Sequence, residues 1–272
     1  MSLVVSTNTA GANAARHLGT ADRRLTTSVE RLSSGQRINR AADDASNLAI
    51  SEGMRAQIGG LRVALRNTQD GISVLQTAEG ALTETQSILH RMRDLTVQAA
   101  NTGALDDGAR SAVQSEITGL RSELDRIAAT TSFNGRALLD GGYRGVFQVG
   151  ADVGQTIGVS IATAVDAAGL AVDGVDVTGA GAGTALAAID VAVERVSTIR
   201  GDLGAVQNRF EHNIAKVGAA LDNTVTSEGR IRDTDIAAEM TDVARVRILT
   251  QAGTAMLAQA NQSPRTLLSL LA

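Results

Sequence analysis

Residues 61–99 read LRVALRNTQDGISVLQTAEGALTETQSILHRMRDLTVQA. Leu61, Leu65, Thr68, Ile72, Leu75, Ala78/Glu79, Leu82, Leu89, Met92 and Ala99 recur at alternating steps of four and three, with one polar gap near Thr85 and Gln86. A stripe held for about five heptads predicts a long helix packed in a coiled coil. No proline interrupts the chain between about Ser46 and Asn101. At 1.5 Å per residue such a helix would reach roughly 80 Å, well beyond an ordinary globular element.

Working outward, Asn101-Thr102-Gly103 and Asp106-Asp107-Gly108 supply a break,. Val113, Ile117, Leu120, Leu124 and Ile127 then repeat the spacing on a shorter helix. A complementary seam runs from Leu186 through Ile189, Val193, Val196, Ile199, Leu203, Val206, Phe210, Ile214 and Val217 to Leu221, closing around Ser227-Glu228-Gly229. Each stripe needs a partner, so the later helix is expected to pack antiparallel on the earlier pair. Residues 141–183 differ, with 11 of the 28 glycines. There Val146–Gly150 and Thr156–Ile161 are short β-type runs around Asp152-Val153-Gly154, a hairpin signal,. Both termini are helical again. Leu18, Leu25, Val29 and Leu32 mark residues 6–33, and Ile236, Met240, Val243, Val246, Leu249, Met256 and Ala260 mark residues 233–262. Their other positions are mostly small, which lets helices approach closely on several sides and suits a crowded assembly. The expected fold is mainly α: a long antiparallel helical coiled-coil bundle with a small β-hairpin insert and the N- and C-terminal helices paired.

Composition narrows the chemistry. Of 272 residues 43% are hydrophobic and 20% charged, as in an ordinary folded protein, but aromatics are 1%,. Any core is therefore built from Ala, Leu, Ile and Val. There is no cysteine, which excludes disulfides, thiolate metal sites and a thiol nucleophile,. The net charge of −4 offers no footprint for nucleic acid or an anionic membrane,. No run approaches the ~18 apolar residues of a membrane span. Met1–Asn8 has no cationic start followed by an apolar stretch, so no cleaved Sec leader is expected,.

Catalytic, cofactor-binding and metal residues are not expected. His17, His90 and His212 stand apart in sequence, and no phosphate-loop or nucleophile-elbow pattern occurs,. Asp43-Asp44 and Asp106-Asp107 are read as helix-start or turn chemistry, because sequence neighbours do not face each other on a helix,.

Several stretches resemble the bacterial flagellins. They are Leu32-Ser33-Ser34-Gly35-Gln36-Arg37-Ile38-Asn39-Arg40-Ala41-Ala42-Asp43-Asp44-Ala45, Thr131-Ser132-Phe133-Asn134-Gly135 with Leu138-Leu139, Arg230–Asp235, Ile248–Gly253, and the closing Ala258–Leu271. The resemblance covers nearly the whole chain, whose middle is short for that family. A hook–filament junction protein would share the end motifs but carry a more divergent C-terminus. A signalling hairpin would share the heptads but turn through continuous helix.

The resemblance implies a structural subunit that polymerises into the flagellar filament for swimming, with no enzymatic activity and no cofactor. It implies an inner filament-core domain from residues 1–40 and 233–272 and an outer bundle from 41–232 with its hairpin at about 141–183. The terminal helices would be largely disordered in the free monomer and would fold on docking. Leu18, Leu25, Leu32, Ile236, Met240, Val243, Leu249, Met256, Leu267, Leu268, Leu270 and Leu271 would then carry core packing and polymerisation. Implied partners are further copies of the chain in a helical filament, hook-junction and cap proteins, an export chaperone on the C-terminal helix, and a Toll-like receptor meeting Arg91, Leu95 and Glu116, a patch that neighbouring subunits could equally occupy. Export would run unfolded through the flagellar type III apparatus to an extracellular filament.

Overall fold

The computed structural model describes residues 7–179 and 181–271, with side chains described as far as Ser263. In chain order the elements are α1 Thr9–Ser34, α2 Ala45–Ala99, α3 Asp107–Thr130, β1 Ser132–Phe133, β2 Arg136–Ala137, β3 Tyr143–Gln148, β4 Thr156–Ile161, α4 Ala182–Arg232 and α5 Ile236–Leu271. The fold is mainly helical, and the strands form two separate antiparallel pairs, β1–β2 and β3–β4. Two compact units emerge, residues 57–222 and residues 1–56 with 223–272. The divisions fall inside α2 and α4; the boundaries expected at 40/41 and 232/233 coincide with breaks between helices instead.

In the 57–222 unit the heptad stripe of α2 is the buried face. Leu61, Thr68, Leu75, Ala78, Leu82, Leu89, Met92 and Ala99 are all buried, and so is Thr85 in the polar gap. Hydroxyls on this seam are satisfied within their own helix: Thr68 Oγ1 donates to the Ala64 carbonyl at 2.7 Å, Thr85 Oγ1 to Ala81 at 3.0 Å and Thr96 Oγ1 to Met92 at 2.8 Å. No buried polar group is orphaned where the stripe turns polar. Helix α4 lies antiparallel to α2. Asn213 Nδ2 donates to Thr68 Oγ1 at 3.3 Å, Arg200 Nε to Glu79 at 2.8 Å and Arg93 Nε to Asp190 at 2.7 Å, so partner numbers fall as α2 advances. Helix α4 runs on through Ser227-Glu228-Gly229 to Arg232 rather than closing there, because one glycine costs a helix only about 1 kcal/mol,.

The β3–β4 hairpin pairs Tyr143 with Ile161 and Gln148 with Thr156. Its alternation sends Ile157, Val159 and Ile161 inward,. Phe210, fully buried, meets Phe147 edge-to-face with ring centroids 5.6 Å apart,. The tip of the Phe210 ring abuts Gly71, where an added Cβ would sit 2.7 Å from Cζ.

The hairpin expected at about 141–183 ends at Ile161, and most of the rest of that stretch is core instead. Val165, Ala167, Leu170, Val172, Val175 and Val177 are buried without forming helix or strand. Side chains of α3 replace the missing ladder. Asp125 Oδ1 accepts from the Ala167 amide at 2.8 Å, and the Gln114 carboxamide donates to the Val175 carbonyl and accepts from the Val177 amide,. Gly169 is required there, since a Cβ would lie 2.3 Å from the Ala164 carbonyl oxygen. The short β1–β2 hairpin turns through Asn134 and Gly135, both at positive φ (49° and 75°), the pairing a tight type I′ turn demands,.

Candidate assembly surface

Residues 1–56 with 223–272 contain the two terminal helices, and small side chains decide how they meet. On α1, Gly11, Ala21 and Ser28 are buried, with Leu18, Leu25 and Leu32 partly buried on the same face. Val29, expected on the same stripe, is exposed. On α5, Val243 and Val246 are buried. A Cβ added to Gly253 would lie 3.4 Å from Leu18 Cδ1. The pair is antiparallel. Asn8 caps α1 by accepting from the Gly11 amide at 2.9 Å and reaches across to donate to the Ala260 carbonyl at 2.9 Å,. At the other end Arg31 faces Glu239 at 3.9 Å.

Between α1 and α2 the chain is clasped by the start of the C-terminal segment. Gly35 closes α1 at φ 71°, and its amide donates to Arg31,. The Arg37 amide then donates to the Arg232 carbonyl at 2.6 Å, and the Thr234 amide to the Gly35 carbonyl at 3.0 Å. Arg232, only 8% exposed, donates through Nε to Gln36 Oε1 and through Nη1 to Glu52 at 2.5 Å. Asp43 accepts from the Asn39 and Arg40 amides, while Asp44 accepts from the Asn47 amide in the first turn of α2. These bonds favour the ionised form and hold both carboxyls below the usual range; the Arg232 hydrogen bond does the same for Glu52,. Both paired-aspartate motifs are therefore turn and cap groups, since Asp106 caps α3 by accepting from the Ala109 amide at 2.7 Å.

The two helices differ in what they leave exposed. Helix α1 is one-sided, with Arg16, Asp22, Arg23 and Arg24 on its outer face,. Helix α5 carries exposed apolar side chains on several faces, interspersed with Asp242, Arg245 and Arg247. At 100° per residue Ile248 stands roughly 170° from the Val243–Val246 face, with Met240 and Met256 in the remaining quadrants. Ile248 is 65% exposed and Met256 64%, while Ile236, Met240 and Leu249 are about half exposed. Of the residues expected to carry polymerisation, Val243 is thus occupied within the chain, Leu18, Leu25 and Leu32 are partly covered, and Ile236, Met240, Leu249 and Met256 present open surface. The side chains of Leu267, Leu268, Leu270 and Leu271 lie outside the described residues.

In the 57–222 unit Arg91 and Glu116 form an exposed ion pair, Nη2 to Oε1 at 2.6 Å, linking α2 to α3. Leu95, expected beside them on the surface, is only 2% exposed and belongs to the core. The 4-3 spacing carried that signal, since Leu95 follows Met92 on the buried stripe. His17, His90 and His212 are exposed. Among the described residues no group of three or more His, Cys, Asp or Glu is placed to hold a metal ion, and no helix is long and apolar enough to cross a membrane.

Known proteins match this architecture. The family described as "Bacterial flagellin N-terminal helical region" matches residues 5–143, and "Bacterial flagellin C-terminal helical region" matches residues 186–271. The chain is 44% identical to a flagellin of Bacillus subtilis over 301 residues, covering 98% of this chain and 99% of that one. It is 46% identical to a flagellin of Halalkalibacterium halodurans over 273 residues, covering 99% and 100%. Among solved structures, Bacillus cereus flagellin superimposes with a TM-score of 0.51 at 31% identity, over 56% of this chain and 88% of that one. Paired terminal helices, a heptad-seamed bundle and full-length likeness therefore converge: the chain belongs to the bacterial flagellins, the non-enzymatic structural subunits of the flagellar filament.

Proposed function

We propose that α1 and α5 are the polymerising element of this subunit, forming with residues 1–40 and 233–272 the inner core of the filament around which residues 41–232 stand as the outer bundle. The observation that carries this is the exposure of Ile236, Met240, Ile248, Leu249 and Met256 on faces of α5 that α1 leaves uncovered. Exposed apolar side chains on several faces of one helix call for partners, and further copies of the chain are the partners a filament supplies. Leu18, Leu25, Leu32 and Val243 hold α1 to α5 in this reading. Ile236, Met240, Leu249 and Met256, continued by Leu267, Leu268, Leu270 and Leu271, meet neighbouring subunits. The same surface explains why an export chaperone would cover the C-terminal helix before assembly. Export without a cleaved leader and contact with hook-junction and cap proteins at the filament ends belong to the same proposal.

A Toll-like receptor would read the exposed Arg91–Glu116 pair, with Leu95 acting from the core by fixing α2 against α3 rather than by touching the receptor. Seeded elongation tests the central claim. Purified monomer is added to filament seeds, and growth is followed by pelleting and electron microscopy. The parent chain elongates the seeds, whereas Ile248→Asp remains helical and does not. Filament growth by Ile248→Asp at the parent rate would reject the assignment of α5.

A further inference from the structure

Where the β3–β4 turn meets α2 and α4, the 57–222 unit holds an open cavity of about 560 Å³, within the size range of small-molecule sites,. No residue of α1 or α5 lines it. Its floor is apolar: Leu61 on α2, Val149 and Ile157 in the hairpin, and Val217 on α4 are all buried. The walls are tied together by hydrogen bonds from three elements. Asn213 Nδ2 on α4 donates to the Val149 carbonyl at 2.9 Å, and Asn67 Nδ2 on α2 donates to the Gln148 carbonyl at 3.0 Å. The Val149 amide closes the turn on the Gln155 carbonyl at 2.8 Å. Gly60 lets that turn rest directly on α2, since a Cβ there would lie 2.9 Å from Ala151 Cβ. The cavity is therefore formed before anything enters it, which spares a ligand the cost of ordering its site.

Arg209, His212 and Lys216 stand along one side, all exposed. Spacings of three and four residues put them on one face of α4, over a rise of roughly 10 Å. None of the three has an ion-pair partner among the described residues, whereas Arg200 and Arg232 on the same helix are paired with Glu79 and Glu52. Asp152 is the one acid in the lining, and it already accepts from Gln155 Nε2 at 3.0 Å. The chain as a whole carries a charge of −4, so basic groups left without acids over an apolar floor are a local exception. A bare oxyanion would leave the floor unused, and a neutral apolar molecule would leave the cations unpaired. A molecule with an anionic head and an apolar body satisfies both.

We infer that this cavity binds a small amphiphilic carboxylate, its head between Arg209 and Lys216 and its chain over Leu61, Val149, Ile157 and Val217. The site lies wholly in the 57–222 unit and stands apart from the assembly reading of α1 and α5.

Lys216 is the single lysine of the chain, so acylation of its ε-amine reports on this site alone. The unpolymerised full chain is treated with the N-hydroxysuccinimide ester of acetic acid, and modification of Lys216 is quantified by peptide mass spectrometry. Decanoate, kept below its micellar concentration, slows that acylation about fivefold with a saturable dose dependence. Acetate, which has the head without the chain, and decanol, which has the chain without the head, leave the rate unchanged. Arg209→Glu moves the decanoate protection curve to roughly tenfold higher concentration, each variant being compared with itself in the absence of decanoate. Circular dichroism melts of the parent and the variant recognise a folding defect as such. An acylation rate indifferent to decanoate, protection by acetate or decanol alone, or an unshifted curve in a folded Arg209→Glu variant overturns the inference.

Discussion

Replacing Ile248 and Met256 together with alanine separates assembly from folding. Both side chains are about two-thirds exposed in the single chain, so docking can still bury most of each. Each substitution removes three heavy atoms beyond Cβ, at about 0.8 kcal/mol per buried methylene, and the exposed share brings this to about 1.5 kcal/mol per residue. The pair then contributes about 3 kcal/mol to every subunit addition, roughly a hundredfold in critical concentration. The monomer loses little, because exposed positions are worth within about 0.5 kcal/mol and alanine favours helix. The assay is the residual soluble concentration after seeded growth, beside a thermal melt of the unpolymerised chain. A critical concentration within threefold of the parent would refute the argument. So would a large fall in the monomer melting temperature, which would mean these side chains hold the subunit together instead.

Two other expectations concern the packing and the clasp. Gly71→Ala drives a methyl to within 2.7 Å of Phe210 Cζ, and overpacking of this kind costs about 1–3 kcal/mol, against about 1 kcal/mol returned by alanine's better helix propensity; the net loss is read as a lowered midpoint in denaturant titration, and a raised midpoint would show that the ring can shift freely,. Acid acts on the clasp, because Asp43, Asp44 and Glu52 all have folded-state values below their ordinary 3.8, 3.8 and 4.5. A depressed carboxyl stabilises the fold above its unfolded value and loses that contribution as pH falls through the folded one. Hydrogen exchange at the Arg37 and Thr234 amides should therefore accelerate, relative to amides in the middle of α2, as pH drops below about 4. Uniform loss of protection across both would count against the clasp as a distinct acid-sensitive element.

The stripe from Leu61 to Ala99 made the long helix and its buried face legible without coordinates, because heptad periodicity is written into one strand of chain. The β3–β4 hairpin was legible for the same reason: alternation and a turn triplet are local. The motif 32–45 could be recognised by resemblance, but not explained, since its purpose is to receive Arg232 and Thr234 from nearly 200 residues away. The buried run from Val165 to Val177 escaped for a related reason. It has no period of its own, and Gln114 and Asp125 on α3 supply its hydrogen bonds.

What the sequence by itself determined is everything that repeats along the helix axis: which faces are apolar, how long the helices run, and where glycine and asparagine permit a turn. What only the tertiary structure decided is which apolar residues are spent inside the subunit and which remain open. Leu95 and Ile248 look alike in a hydropathy pattern, yet one is enclosed in the core of the 57–222 unit while the other is exposed on α5. The reason is physical: burial depends on what stands opposite a side chain. For this protein the sequence lists the apolar residues of α5, and the folded subunit decides that Val243 and Val246 are covered while Ile248 and Met256 stay open.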